Sequence, residues 1–290
     1  MPRRTLKTLI GTYAHTAPLK SGAVRSERFD LDFVEIEPVW DGFKGMIRED
    51  RYDVSEMAVV TYLIARAHGK PLALLPAAMI GRFQQPFALY NAARRPLTPA
   101  DLPGKRVGIR SFTTTTGAWL RGILANDYDV DLDSIEWVTF EDPHVAEYRD
   151  PTRRAPTGRR IVSMLLDGEL DAVLGEAPSD PRLRCLFGDP QHAARQWYER
   201  HRVVPINHLV VMRIPDVERD PDTAREVWRL LAEGKRLAGP APDPDPLAFG
   251  IEANRDSLAL IAEYAYQQGL IPRRVSVDEM FRETRDILAN

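Results

Sequence analysis

Residues 105–126, KRVGIRSFTTTTGAWLRGILAN, constrain the fold more than any other stretch. The segment opens as a short apolar strand over Arg106–Ile109 and passes through Thr113, Thr114, Thr115 and Thr116. It then becomes helical, with Ala118, Leu120, Ile123, Leu124 and Ala125 at helical spacing. A strand that turns straight into a helix leaves first-turn N–H groups facing whatever lies beyond the strand's end. Four hydroxyls add donors at the same point, a combination suited to a carboxylate or phosphate. A single threonine there is an ordinary helix cap. Four in succession make cap and anion seat equally good readings.

The same alternation runs through the chain. Strands are expected over residues 6–10, 31–36, 52–60 and 72–77, with helices over 42–50 and 62–68. After residues 94–99 the pattern resumes with the strand Arg106–Ile109, a helix over 117–127 and a strand over 135–140. A mobile loop over 141–158, a helix over 159–166 and a strand over 170–174 follow. The tail carries a strand over 203–212 and helices over Pro221–Leu237, 254–268 and 276–288, with Gly269 and Pro272 as a stop signal. Strands separated by helices predict a parallel sheet with helices on its faces. Residues 46–54 and 164–172 echo each other as helix end, turn, aspartate and strand, which sets Ser55-Glu56 and Gly175-Glu176 at equivalent strand ends. Two lobes follow: residues 1–92 with 206–290 as the first, and 93–205 as the second. The chain is expected to cross between them near 90–95 and 202–205. The expected fold class is α/β, two-lobed, with a central cleft beyond the carboxyl ends of the strands.

Bulk properties narrow the partners. With 290 residues, 44% hydrophobic and 28% charged, the chain has ample core, and a net charge of -3 argues against nucleic acid or an anionic membrane. Cys185 is the only cysteine, so no intrachain disulfide or cysteine metal cluster is expected. The amino terminus lacks a signal-peptide core, and no run approaches the ~20 apolar residues of a membrane span, so a cytoplasmic location is expected.

Five segments occur in order: GTYAHTAPL from Gly11, YDVSEM from Tyr52, TGAWLRGIL from Thr116, PINH from Pro205 and YAYQQGL from Tyr264. Together they resemble the 4,5-dihydroxyphthalate decarboxylase family, which is similar in fold to type II periplasmic binding proteins. The resemblance covers nearly the whole chain. It implies non-oxidative loss of carbon dioxide from a hydroxylated aromatic dicarboxylate. Such a reaction needs a proton for the ring carbon, an electron-donating hydroxyl, and cations or N–H groups on the remaining carboxylate. No cofactor and no metal are expected, since no metal-site spacing occurs. The expected partner is a small aromatic carboxylate, with a homo-oligomer left open.

His208, in the family's Pro-Ile-x-His, is the expected proton donor, with a buried structural histidine as the alternative. His15 and Glu56 join it as catalytic candidates. Ser55 and Glu56 interrupt an apolar strand, where a buried carboxylate needs a partner. Arg82 and Arg121 carry forks that match carboxylates. Thr114, Thr115 and Thr116 form the anion seat, and Trp119 stacks on the ligand or packs the core. Tyr13 and Glu176 complete the substrate-binding set. His68, His144, His192 and His201 read as surface residues. One departure stands out: where the family has Phe-Arg-His, this chain has Phe83-Gln84-Gln85. Decarboxylation of a phthalate-like acid, solute binding without chemistry, and a related enzyme such as a dehydratase acting on another small carboxylate therefore remain open.

Overall fold

The computed structural model describes residues 3–288; the expected first lobe's residues 1–2 and 289–290 lie outside them. The first half runs β1 (Arg4–Leu9), α1 (Ala17–Lys20), β2 (Phe29–Phe33), α2 (Phe43–Glu49), β3 (Val54–Ala58), α3 (Val59–Ala67), β4 (Leu72–Gly81) and β5 (Ala88–Asn91). Next come β6 (Arg106–Ile109), α4 (Thr115–Asp127), β7 (Glu136–Thr139), β8 (Arg153–Arg154), α5 (Ile161–Asp167), β9 (Ala172–Leu174) and β10 (Leu183–Cys185). The chain finishes with α6 (Pro190–His201), β11 (Ile206–Arg213), α7 (Ile214–Arg219), α8 (Pro221–Leu237), α9 (Ile251–Gln267), α10 (Val277–Met280) and α11 (Arg285–Leu288).

Among the described residues the strands form two sheets, ordered β2-β1-β3-β11-β4 and β10-β5-β9-β6-β7-β8. Both faces of each are covered, so the central strands read as continuous apolar runs. In β4, Leu74 packs with α3 and α9 on one face, and Ala73 and Leu75 pack with α8 on the other. In the second sheet Val107, Ile109 and Leu174 face α4 while Val173 faces α5. β1 is parallel to β2 and β3, and β6 to β7 and β9, as the strand–helix repeat requires. The expected parallel sheet fails at β11, antiparallel to β3 and β4, and at β5, antiparallel to β9 and β10. Each is the first strand laid down after the chain changes sheets, so it enters from the opposite end. Sheet membership changes between Gly81 and Ala88 and again between Cys185 and Ile206. The first change precedes residues 90–95, because Tyr90 is already paired with Ala172 and Arg184.

Other elements depart from expectation for local reasons. The strand expected over 52–60 stops at Ala58, and Val59 already begins α3. The single helix expected over 276–288 is two short ones: buried Phe281 and Thr284 turn the chain back onto the sheet, where Thr284 Oγ1 donates to Leu74 O (2.7 Å). Helix α6 was not foreseen, although Asp189 caps it by accepting from the N–H groups of Gln191 and His192, with Pro190 at its first position. The echoed segments behave alike: α2 and α5 end in left-handed residues, Asp50 (φ 50°) and Gly168 (φ 78°), ahead of β3 and β9.

The layers join where α4 packs on α9. Gly122 brings the two helices close, since a Cβ there would lie 2.0 Å from the Tyr264 ring. Trp119 meets Trp197 and Tyr264 edge to face, with ring centroids 6.2 and 5.7 Å away. Such pairs are worth about 0.5–1.5 kcal/mol each beyond their buried area. No helix among the described residues is long and apolar enough to cross a membrane.

Candidate active site

Glu56 and His208 lie on one face of the β3–β11 pair. Register sets Val210 opposite Glu56 and His208 opposite Ala58, so their side chains are diagonal neighbours. Glu56 is fully buried and takes three hydrogen bonds. The Gly11 N–H donates to Oε2 (2.9 Å), while the Tyr13 hydroxyl (2.9 Å) and His208 Nδ1 (2.6 Å) donate to Oε1. A carboxylate only accepts, so Nδ1 carries the hydrogen and Nε2 is the free ring position. His208 lines a cavity of about 140 Å³. That volume suits a single aromatic ring, since roughly 150 Å³ holds benzene.

Two helix N-termini line the same cavity. Ala58 and Thr61 come from the start of α3, and Thr114, Thr115 and Thr116 from the start of α4. Neither helix is capped by the side chain of its own N-cap residue, Ala58 or Thr114. The threonine hydroxyls serve elsewhere: Thr114 Oγ1 donates to Ser111 O (3.0 Å), Thr115 Oγ1 accepts from Val60 N (3.1 Å), and Thr116 Oγ1 accepts from Asn207 Nδ2 (3.0 Å). The two N-termini are thus fastened together, and the remaining first-turn N–H groups and both helix dipoles favour an anion between them. The threonine run thus gives α4 no side-chain cap, while its Thr115 hydroxyl caps the first turn of α3.

Two arginines add charge. Arg82 stacks on Phe87 (4.0 Å to the ring centroid), lines the cavity and pairs with no carboxylate among the described residues. Arg110 lies over Trp40 at 5.5 Å and pairs with Glu141 (2.8 Å). Trp40, Phe43, Ala58, Ile80 and Leu174 supply apolar wall.

Several expected residues stand elsewhere. Ser55 points to the opposite face from Glu56, by strand alternation, and bonds the Glu56 carbonyl (2.7 Å). Tyr13 supports Glu56 from behind rather than lining the cavity, and burial beside that carboxylate pushes its phenol well above the ordinary value. His15 is buried, stacked on Tyr13 (5.3 Å), and does not line the cavity; burial lowers its pKa. Trp119 is core, donating to Ile206 O (2.9 Å). Arg121 is buried between the layers, donating to Phe112 O (2.7 Å) and Gln268 Oε1 (2.8 Å), and burial pushes it down to about 9. Neither lines the cavity. Glu176 follows the cavity residue Gly175 without lining the cavity itself; burial raises its pKa. Gln84 and Gln85 also lie outside the lining: Gln84 Nε2 donates to Asn207 Oδ1 (2.7 Å), and so orients the amide that holds Thr116.

Four polar cavity residues, Thr61, Arg110, Asn207 and His144, escaped sequence reasoning. Arg110 directly follows β6, a position that the carboxyl-end rule could have flagged. Asn207 sits beside His208 in the quoted motif. His144 belongs to the stretch expected to be a mobile loop with a surface histidine. Arg48 holds that stretch, donating to Pro143 O (2.7 Å) and His144 O (2.9 Å), as do the Lys70–Glu147 pair (2.7 Å) and buried Val145. His201 is also not free surface: it bonds Asp127 (2.8 Å) and stacks on Trp197. Among the described residues no group of three or more His, Cys, Asp or Glu could hold a metal ion.

Comparison with solved structures agrees with the two-sheet architecture. The periplasmic aliphatic sulphonate binding protein SsuA from Escherichia coli superposes with a TM-score of 0.58 at 14% identity, covering 96% of this chain and 97% of its own. The desulfurization enzyme DSZB gives 0.58 at 13% identity, covering 99% of both chains. The chain has the two-lobed periplasmic-binding-protein-like fold. No protein-family model matches. Sequence comparison finds the 4,5-dihydroxyphthalate decarboxylase of Comamonas testosteroni, 32% identical over 82% of this chain and 77% of that protein. The enzyme of the same name from Pseudomonas putida is 29% identical over 68% of this chain and 83% of its own length. With that identity over that length, the chain belongs to the 4,5-dihydroxyphthalate decarboxylase family.

Proposed function

We propose that the protein is a carboxy-lyase that removes carbon dioxide from a hydroxylated, phthalate-like aromatic acid. The observation that carries this reading is the Glu56–His208 pair opening on a ring-sized cavity that is also lined by the N-termini of two helices. In the proposed mechanism the N–H groups around Thr114, Thr115 and Thr116, with Arg82 and Arg110, hold the carboxylates. The ring lies against Phe43, Ile80 and Leu174. His208, as imidazolium balanced by Glu56, gives its Nε2 proton to the ring carbon bearing the leaving carboxylate. The carbon–carboxylate bond then breaks, its electron pair returns to the ring and restores aromaticity, and carbon dioxide departs. Water reprotonates His208. Tyr13 and the Gly11 N–H act through Glu56.

In this reading the lobes follow the two sheets, so the expected boundary at residue 92 moves ahead of β5, and the cavity lies between them. The test is carbon dioxide release from 4,5-dihydroxyphthalate by the wild type and by His208→Asn. Turnover that falls by about 10²–10⁴ in the variant is expected. Tight binding with no carbon dioxide from any hydroxyphthalate or hydroxybenzoate would make the cleft a solute-binding site instead.

A further inference from the structure

Two imidazoles, not one, open on this cavity, and the second is unused by the mechanism above. His144 reaches it from residues 141–158, and both rings pack edge-on against Phe43, with centroids 5.6 Å (His144) and 5.3 Å (His208) from that ring. Each is fixed through Nδ1, but to different chemistry. His208 faces the Glu56 carboxylate, whereas His144 Nδ1 faces the neutral Thr61 hydroxyl at 3.0 Å. Neither Nε2 has a hydrogen-bond partner among the described residues, and neither is sealed from the cavity.

We propose that His144 is a second substrate-contacting residue, whose neutral Nε2 accepts a hydrogen bond from a ring hydroxyl and so selects hydroxylated aromatic acids. The proposal rests on the carboxylate-binding reading of this cavity. Its logic is electrostatic. Burial, together with Arg110, Lys44, His208 and Arg48, pushes His144 down to about 3. The ring is therefore neutral at working pH, and the proposal assigns it the tautomer whose Nδ1 hydrogen goes to Thr61 Oγ1 and whose lone pair is on Nε2. Cations gathered for carboxylates would otherwise leave the cavity rich in donors and poor in acceptors. A ring hydroxyl needs an acceptor. It becomes more acidic as the ring carbon is protonated, so a hydrogen bond to Nε2 strengthens on the way to the transition state. An acid lacking the hydroxyl would leave Nε2 buried and unpaired, which is the physical basis of rejection.

The experiment compares binding of 3,4-dihydroxybenzoate, the product of 4,5-dihydroxyphthalate decarboxylation, with that of benzoate by titration calorimetry. The wild type should prefer the dihydroxy acid by about tenfold or more. His144→Phe should lose that preference through the dihydroxy acid alone, with benzoate affinity kept within about twofold. His144→Gln, which retains an acceptor oxygen, should recover part of it, and Thr61→Val should lose part by freeing the ring. Equal losses for both ligands would overturn the proposal, since they would mark His144 as a prop for the loop. So would an unchanged preference in His144→Phe. Preference that depends on His144 in a protein releasing no carbon dioxide would sink the decarboxylase reading while supporting this one; carbon dioxide release with unchanged preference would do the reverse.

Discussion

Glu56→Gln is the most informative single change, because it alters charge and acceptor count without altering shape. The carboxylate satisfies three donors: Gly11 N–H on one oxygen, Tyr13 O–H and His208 Nδ1 on the other. An amide has one acceptor oxygen. If that oxygen keeps Tyr13 and His208, the NH₂ confronts the Gly11 N–H. If it turns to Gly11, the NH₂ faces Nδ1, and the imidazole hydrogen is forced onto Nε2. Either way an imidazolium loses its counter-charge. At an effective dielectric near 20, that attraction is about 4 kcal/mol at roughly 4 Å, and the lost hydrogen bond to a charged group adds about 1.5–3 kcal/mol. Because the ground state shares part of this loss, we expect kcat to fall by about 10²–10³, or roughly 3–4 kcal/mol. KM should stay within about threefold, since the anion seat lies on other residues. Carbon dioxide release at saturating 4,5-dihydroxyphthalate measures it, with circular dichroism to confirm the fold. A variant whose kcat stays within about threefold of wild type would refute the role of Glu56 as partner to the proton donor.

Three further outcomes are expected. Arg82→Ala should raise KM about tenfold while leaving thermal stability unchanged, because Arg82 pairs with no carboxylate among the described residues; an unchanged KM would remove Arg82 from the seat. Gly122→Ala puts a Cβ 2.0 Å from Tyr264 Cδ2, so it should cost about 1–3 kcal/mol and lower Tm by several degrees; an unaltered melt would show that α4 and α9 shift freely. His144, near 3 when folded against an ordinary 6.5, takes its proton far more readily in the unfolded chain between those values. Stability fully present above about pH 6.5 is therefore lost as pH falls toward 3, at up to roughly 1.4 kcal/mol per pH unit. His144→Phe should flatten that acid slope in urea melts, and identical slopes would contradict the burial argument.

The site was legible where chemistry and backbone pattern coincide. A carboxylate in an apolar strand (Glu56) and a histidine in another (His208) demanded partners, and in the structure they are each other's. The threonine run announced a helix N-terminus at a strand end. Tyr13, Ser55, Trp119 and Arg121 were placed in the substrate-binding set from residue type, but direction is set by strand alternation, by the packing of α4, and by which loop folds back. His144 was dismissed because a polar stretch rich in proline and arginine carries no periodicity. Its anchors, Arg48, Thr61 and Lys70, lie between 77 and 96 residues away in sequence.

The strand–helix alternation, the covered sheets and the strand-to-helix turn at Ser111–Gly117 are properties of the sequence alone, because they follow from local periodicity and from backbone groups that must be paired. The antiparallel entry of β5 and β11, the meeting of the α3 and α4 N-termini, and the pairing of Glu56 with His208 across 152 residues belong to the tertiary structure. Hydrogen bonds act over about 3 Å and carry no record of chain separation, so only the folded register decides which polar groups meet.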